Sequence, residues 1–370
     1  MYHPGGPGIS AVTELFNSPP GIDFDQHSVL SWDGATSGDG TGACGIDTIK
    51  FLTERTPQDF ADLGQKAGDE CKDGFGSALD VGAWAAADEL ETIRGALGID
   101  QFDILSISYG TAIAEAYLRW HPEHVRRAVL DAPIGLGLKW ADRIAAVGSV
   151  SSTLADEMAS ACDTDRCAAE LNGVAPDQSY ETLRAAVLAE HPSVGSGNLE
   201  LSPVVLDQAT LLAIHGRDYW PGWATAIDEG LNGDGSALWN AGQHIYLDLD
   251  RQIYYRSLCG DLDRPSDAAD YNGGPDPLVF AYASDLAPCV RFPSGTPPQQ
   301  LAAEGAPQPA VEIYVSTRDP LAPSVMLAGA PFLSTLGRYC QSDHPGHTSY
   351  ADPVARAAII AFLESGQPDC

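Results

Sequence analysis

Three residues that are far apart in the chain could together perform acyl-transfer chemistry: Ser108, Asp319 and His347. A serine hydroxyl becomes a strong nucleophile only when a neighbouring base removes its proton, and histidine is the usual base. A carboxylate can in turn hold the imidazole in the orientation that accepts this proton. The order Ser, Asp, His therefore predicts a catalytic triad, provided that the fold brings the three side chains together.

The residues around Ser108 predict a sharp strand-to-helix turn. Residues 102–105 are typical of a buried strand, small residues follow them, and residues 111–120 have helical character. A serine at such a turn presents its hydroxyl outward, and the first turn of the helix leaves backbone N–H groups free beside it. The usual G-x-S-x-G pattern is kept except that Ser106 replaces its first glycine.

Residues 311–315 form a clear strand pattern, and Asp319 comes just past it, after Ser316-Thr317-Arg318. The carboxyl ends of parallel strands meet at one edge of a sheet, which is also where ligands bind. We therefore expect Asp319 to lie on the same edge as Ser108 and to orient the base.

The base is expected in the turn-rich loop of residues 343–350, which contains two histidines. Gly346 allows the backbone beside His347 to approach the Ser108 turn closely, and the last helix begins soon afterwards. His344 precedes a proline, so we expect it to shape the loop. We predict His347 as the base and keep His344 as the alternative.

A tetrahedral intermediate also needs hydrogen-bond donors for its oxyanion. One donor should be the backbone N–H of Tyr109, which directly follows Ser108. The other should come from the loop His3-Pro4-Gly5-Gly6-Pro7-Gly8, because its glycines bring bare backbone close to a substrate and its prolines stiffen the loop.

Strand-like and helix-like segments alternate in residues 1–134, which predicts a parallel sheet with crossover helices. This region contains expected strands at 27–32 and 127–130 and an expected helix at 81–97 that stops at Gly98.

Residues 135–300 carry helical patterns and few strand signals, so we predict a helical cap inserted into the α/β core. The expected cap helices cover 141–161, 180–189, 207–214 and 219–231. Alternation resumes in residues 301–370, the last part of the core, which ends in a helix at about 353–363.

Composition excludes some classes of partner. The chain of 370 residues has 51 acidic and 20 basic residues, a formal charge of −31, and a hydrophobic content of 44%. This negative field repels nucleic acid and anionic membranes, so we expect neither as a partner. The sequence contains no apolar run long enough to span a membrane.

Eight cysteines lie in turn-rich segments, which favours disulfides and an oxidising location, secreted or periplasmic. Sequence alone does not fix the connectivity, and buried free thiols are the alternative. Pairing each cysteine with the next one would join Cys44 to Cys71, Cys162 to Cys167, Cys259 to Cys289 and Cys340 to Cys370.

Several segments together resemble the proline iminopeptidase and tripeptidyl aminopeptidase group of α/β-hydrolases. They are His3 to Gly8, Ser31-Trp32-Asp33-Gly34, Ser106 to Thr111, the Asp319 turn and Gly346-His347-Thr348. The resemblance implies an α/β-hydrolase fold, removal of amino acids or short peptides from peptide N-termini, and secretion with disulfides. It also implies Gly5 as the first-choice second oxyanion donor, with Gly6 next.

The same resemblance implies at least two strands before the glycine-rich loop, whereas only Met1 and Tyr2 precede it, without a signal peptide. We therefore expect a chain whose N-terminal strands and leader are missing, as in a fragment or a processed protein.

Three functions stay open at this stage. The first is a serine exopeptidase acting on a peptide substrate, the second is an esterase or lipase-like hydrolase with the same triad, and the third is an inactive binding protein. No cofactor or metal is expected. Asp218, Asp228 and Glu229 are candidate cap acids for a substrate ammonium group, although such acids commonly only solvate a helix face.

Overall fold

A five-stranded parallel sheet organises the computed structural model. In their order across the sheet, its strands are β1 (Tyr2–His3), β2 (Phe102–Ile107), β3 (Val125–Asp131), β6 (Ala310–Ser316) and β7 (Arg338–Ser342). A separate antiparallel pair is formed by β4 (Ser193–Val194) and β5 (Leu199–Glu200). The structure describes residues 1–17, 20–21, 27–34, 36–37, 62, 65–66, 68–69, 82–161, 179–197, 199–247, 250–263, 265–267, 270–271, 274–292, 308–367 and 370.

Helices connect and cover these strands. They are α1 (Ala11–Asn17), α2 (Ala83–Leu97), α3 (Gly110–Trp120), α4 (Trp140–Ser160), α5 (Tyr180–Ala189), α6 (Pro203–Ala213), α7 (Trp220–Leu231), α8 (Ser236–Leu247), α9 (Arg251–Asp261), α10 (Pro277–Ser284), α11 (Leu333–Leu336) and α12 (Pro353–Ser365). The expected α/β class with a mostly parallel sheet is confirmed.

Helix ends follow local signals. Gly98 adopts a left-handed conformation and ends α2 as predicted, with its N–H bonded to the carbonyls of Arg94 and Gly95. The predicted helix at 207–214 instead begins at Pro203, because the Ser202 hydroxyl accepts the Val205 N–H and proline suits the first helical position.

The strand expected at 27–32 is not formed. These residues are irregular, with the Tyr2 N–H donating to the Leu30 carbonyl at 2.9 Å. Just beyond them, Asp33 accepts the Ser10 hydroxyl and the Val12 N–H, so this segment fixes the start of α1.

Two large apolar clusters fill the molecule. One lies against the sheet and includes Ile104, Ile113 and Leu130. Among the described residues, the buried members of the other lie between 154 and 281, mostly in α4 to α8 and α10. We call these helices, with the turns that connect them, the helical layer. Residues from 255 to 292, including Tyr255 and Phe292, pack into the first cluster. The boundaries at 134 and 300 stay a prediction.

Two of the expected disulfides are present, Cys259–Cys289 and Cys340–Cys370. The other four cysteines, at positions 44, 71, 162 and 167, lie outside the described residues. Within the described part of the chain, no helix has the length and apolar character needed to cross a membrane.

The two disulfides close loops of equal length, with 30 residues of separation in each case. Loop-closure entropy assigns about 4 kcal/mol to such a cross-link. We expect the double variant Cys259→Ala/Cys289→Ala to lose at least this much free energy of unfolding in urea, because both cysteines are fully buried in the core cluster. The matched variant Cys340→Ala/Cys370→Ala should lose less, since Cys370 is exposed. Equal losses would contradict a contribution from core packing.

Candidate active site

The strand-turn-helix β2–α3 places Ser108 at its apex. Ser108 has a positive φ of 52°, which is uncommon for a residue with a side chain and marks a strained turn. Its N–H donates to the Asp131 carbonyl at 2.9 Å, and its carbonyl accepts the Thr111 N–H at 2.9 Å. The turn is thereby fixed to β3 on one side and to α3 on the other.

The two ends of the elbow motif have different steric demands. Ser106 is fully buried within β2 and does not have a positive φ, so this position does not require glycine. At Gly110, by contrast, a Cβ atom would lie 2.8 Å from the His3 carbonyl oxygen. The departure from G-x-S-x-G thus falls at the position that tolerates it.

Ser108, His347 and Asp319 form one continuous chain of hydrogen bonds. His347 Nε2 lies 2.8 Å from Ser108 Oγ, and His347 Nδ1 lies 2.9 Å from Asp319 Oδ2. His344, the alternative base, has its ring nitrogen 3.9 Å from Asp352 and its carbonyl bonded to the Ser316 hydroxyl. The geometry therefore places His347, and not His344, beside Ser108.

Asp319 is completely buried in the turn that follows β6, three residues beyond Ser316. Its Oδ1 atom accepts the N–H groups of Leu321 and Ala322, both at 2.8 Å. Burial alone would raise the pKa of Asp319, but the charge of His347 and these hydrogen bonds outweigh it and hold the pKa below its usual range. The group is therefore ionised and held in place.

The pKa of His347 moves in the opposite direction. Burial alone would lower it, but the adjacent charge of Asp319 dominates and raises it above the ordinary value for histidine. A carboxylate that stabilises the imidazolium in this way favours transfer of a proton from Ser108 to His347.

Asp131, at the end of β3, supports the loop that carries the base. Its two carboxylate oxygens accept the N–H groups of Ser349 at 2.9 Å and Tyr350 at 2.8 Å. Burial raises the pKa of Asp131 to about 6 against the effect of these bonds. Sequence reasoning missed this role, although Asp131 shows a signal similar to that of Asp319, an acid near the carboxyl end of a buried strand.

The helical layer also holds the base. The His347 N–H donates to the His215 carbonyl at 2.7 Å, and Gly216 forms an isolated bridge with Gly346. A Cβ atom on Gly346 would lie 2.6 Å from that same carbonyl. The sequence predicted that Gly346 allows close approach to the Ser108 turn. The structure shows instead that Gly346 allows close approach to the helical layer.

Burial lowers the pKa of His215 to about 3, and the charge of His347 adds to this effect.

The glycine-rich loop lies directly over the elbow. A Cβ atom on Gly5 would lie 2.7 Å from the Ile107 carbonyl and 2.8 Å from Ser108 Cβ. The Gly5 N–H donates to His3 Nδ1 at 3.2 Å, and burial lowers the pKa of His3 to about 4, so that this nitrogen is free to accept. Position 3 therefore shapes the loop, a role that the sequence did not suggest.

The three predicted oxyanion donors differ in their availability. Within the described part of the chain, the N–H groups of Tyr109 and Gly6 have no hydrogen-bond acceptor, whereas the Gly5 N–H is already bonded to His3. The Tyr109 side chain is anchored by a 2.5 Å hydrogen bond from its hydroxyl to Asp261. Tyr109 and Gly6 are thus available for an oxyanion, with Gly5 providing the close approach.

The three candidate acids for a substrate ammonium group lie in the helical layer. Asp218 is exposed in the short turn Arg217–Tyr219, Glu229 is exposed on α7, and Asp228 on the same helix is partly buried. These positions leave their proposed role as a hypothesis.

A comparison with known protein families agrees with the fold. Residues 2–172 match the family model described as alpha/beta hydrolase fold. Serine protease Hip1 of Mycobacterium bovis and of Mycobacterium tuberculosis is 30% identical over 150 residues, which cover 36% of this chain and 29% of that protein. The chain thus matches less than a third of the length of these curated relatives.

Solved structures are similar at low sequence identity. MGS-M2, an alpha/beta hydrolase enzyme from a Medee basin deep-sea metagenome library, is 14% identical with a TM-score of 0.40, covering 100% of this chain and 90% of that one. A thermophilic esterase from Thermogutta terrifontis is 11% identical with a TM-score of 0.33, covering 77% of this chain and 72% of that one.

The space around Gly5 gives one test of the site. We expect Gly5→Ala to lower kcat/KM on the order of 10²-fold, because the new methyl group would displace the loop or the elbow from its reactive position. Steady-state hydrolysis of an activated ester would measure this. Gly95→Ala is the control, since a Cβ atom there has no neighbour within 4 Å. Wild-type activity in Gly5→Ala would contradict the placement.

The raised pKa of His347 gives a second test. Since the base must be neutral to accept a proton, kcat/KM should rise with pH through a midpoint above about 6.5, the ordinary value for histidine. Asp319→Asn should move this midpoint to lower pH and reduce kcat on the order of 10⁴-fold. Asp343→Asn, an exposed acid in the same loop, should change neither. An unmoved midpoint in Asp319→Asn would refute the role of Asp319.

Proposed function

We propose that this chain, which has the α/β-hydrolase fold, is a serine hydrolase that works through an acyl-enzyme. The observation that carries the proposal is the unbroken hydrogen-bond chain from Ser108 Oγ through His347 to the buried Asp319. Nucleophile, base and orienting acid come from three segments that meet at the carboxyl edge of the sheet, which is where such folds bind substrates.

The reaction begins when Ser108 Oγ attacks the carbonyl carbon of the substrate and its proton passes to His347 Nε2. Negative charge then develops on the carbonyl oxygen, where the N–H groups of Tyr109 and Gly6 are available to stabilise it. His347 returns the proton to the leaving group as the bond to that group breaks. Water, activated by the same imidazole, hydrolyses the resulting ester on Ser108.

The proposed substrate is a peptide that is cleaved near its N-terminus, releasing amino acids or short peptides. Two observations support this choice over a simple ester. The motifs at residues 3–8, 106–111 and 346–348 resemble the proline iminopeptidase and tripeptidyl aminopeptidase group. The curated relative that the chain matches is a serine protease.

The two disulfides support an oxidising location outside the cytoplasm, since such bonds persist mainly in secreted and periplasmic proteins. A secreted or periplasmic location is therefore part of the proposal.

Replacement of the nucleophile tests the proposal. Ser108→Ala should abolish labelling by a fluorophosphonate probe and reduce kcat on the order of 10⁶-fold, because it removes the hydroxyl that forms the acyl-enzyme. Ser106→Ala is the matched control, a buried serine two residues away, and it should stay labelled and active.

Substrate choice is measured on the wild type with aminoacyl and tripeptidyl arylamides beside short acyl esters. Faster turnover of the arylamides, relative to their uncatalysed rates, supports the peptidase. Turnover of esters alone would make the chain an esterase, and absence of labelling would make it an inactive fold.

A further inference from the structure

Arg143 is a buried cation in the first turn of α4. The residue is only 4% exposed. Its Nε donates to the Tyr282 hydroxyl, and its guanidinium carbon lies 5.6 Å from the centre of the Tyr282 ring. Its Nη1 atom is buried and has no hydrogen-bond partner among the residues that the structure describes. Both tyrosine contacts are neutral, so they leave the positive charge uncompensated.

Among the residues that the structure describes, no carboxylate lies within 4.0 Å of the Arg143 guanidinium. Other arginines of the chain do have acidic partners: Arg119 pairs with Glu115, Arg126 with Asp103 and Arg184 with Asp207. Acids outnumber bases by 51 to 20, so a partner would be easy to supply. A buried guanidinium keeps its charge and is costly when unpaired, which means that fold stability does not explain Arg143.

Helix α4 runs beside the triad. The Ser151 hydroxyl donates to the carbonyl of Pro320, the residue after Asp319, at 3.3 Å. Val147 on the same helix packs with Met326, downstream in that segment, and with Tyr282.

The charge of Arg143 also acts on His347. The pKa of His347 is set mainly by burial and by Asp319, and the charge of Arg143 is among the influences that lower it. Arg143 therefore lies within electrostatic reach of the reacting groups.

Two other arginines near the triad share one acidic partner. Glu157 on α4 binds Arg217 at 2.7 Å through one oxygen and Arg318 through the other. Arg318 directly precedes Asp319, so this bridge ties α4 to the triad loop. Unlike these two arginines, Arg143 has no carboxylate partner among the described residues.

We propose that Arg143 binds a carboxylate of the substrate, so that the enzyme selects substrates that carry a negative charge near the scissile bond. This inference rests on the proposed hydrolase function and specifies its substrate class. A planar guanidinium matches a carboxylate, and the low dielectric of a buried site strengthens the pair. The carboxylate would also supply the acceptor that Nη1 lacks.

A carboxylate can stand on either side of the scissile bond. On the acyl side it would be an acidic side chain, and on the leaving-group side it would be the C-terminus of a short peptide. A carboxylate in either position would compensate the charge of Arg143. Matched pairs of charged and neutral substrates distinguish the two positions.

The first experiment compares isosteric substrate pairs on the wild-type protein. One pair is a glutamyl against a glutaminyl p-nitroanilide, and the other is a tripeptide with a free C-terminal carboxylate against its amide. We expect kcat/KM to favour the charged member of one pair by about 10- to 100-fold, since a hydrogen-bonded charge pair contributes on this scale. The substrate pair that shows this preference identifies the side of the scissile bond on which the carboxylate binds.

Variants then assign the preference to Arg143. Arg143→Gln should lose most of the preference while still hydrolysing the neutral member, and Arg143→Lys should keep part of it. Arg126→Gln, which removes a mostly exposed cation on β3, is the matched control and should keep the full preference. Equal rates for both members of both pairs in the wild type, or an undiminished preference in Arg143→Gln, would overturn the proposal.

A second measurement does not depend on the folding of any variant. Succinate should protect Ser108 of the wild type from a fluorophosphonate probe more strongly than the half-amide succinamate does. Equal protection overturns carboxylate binding and leaves the hydrolase intact. A protein that the probe does not label at all refutes the proposed function itself, so the two failures are distinguishable.

Discussion

The hydrogen bond between Asp319 and His347 is the interaction on which the rest of the site depends. It requires a carboxylate that stays ionised although it is completely buried, which costs several kcal/mol unless donors compensate it. The N–H groups of Leu321 and Ala322 and the His347 ring supply that compensation. The parallel sheet then has to bring the ends of β2 and β6 to the same edge, because only there does the oriented imidazole reach Ser108.

The base is held from two directions by parts of the chain that are distant in sequence. Asp131 fixes the backbone after His347 from the sheet side, and the His215 carbonyl fixes His347 itself from the helical layer. Gly346 is the residue that makes the second contact possible, since any side chain there would collide with it. The helical layer therefore contributes directly to the position of His347.

The sequence was most informative where the chemistry coincides with a local pattern. Ser108 and Asp319 each come after a buried strand, and His347 precedes a helix, so short segments were enough to predict that these three side chains lie together. His215 could not be predicted, because its contribution is a backbone carbonyl that any residue could supply. His3 Nδ1 can accept the Gly5 N–H because burial lowers the pKa of the His3 ring, and this burial is visible only in the folded chain. The strand predicted at 27–32 does not form, because the one backbone hydrogen bond described between this segment and β1, from Tyr2 to Leu30, is not enough to make a strand.

The contact between His215 and His347 limits how this architecture can be recombined. The helical layer of this chain could be exchanged for that of another protein with the same sheet. Here an exchanged module would also have to deliver a carbonyl oxygen 2.7 Å from the backbone nitrogen of the base and leave room against Gly346. A chimera without these two features would hold the His347 imidazole in the wrong position. Residues 215–216 of this chain should therefore be kept when the helical layer is exchanged.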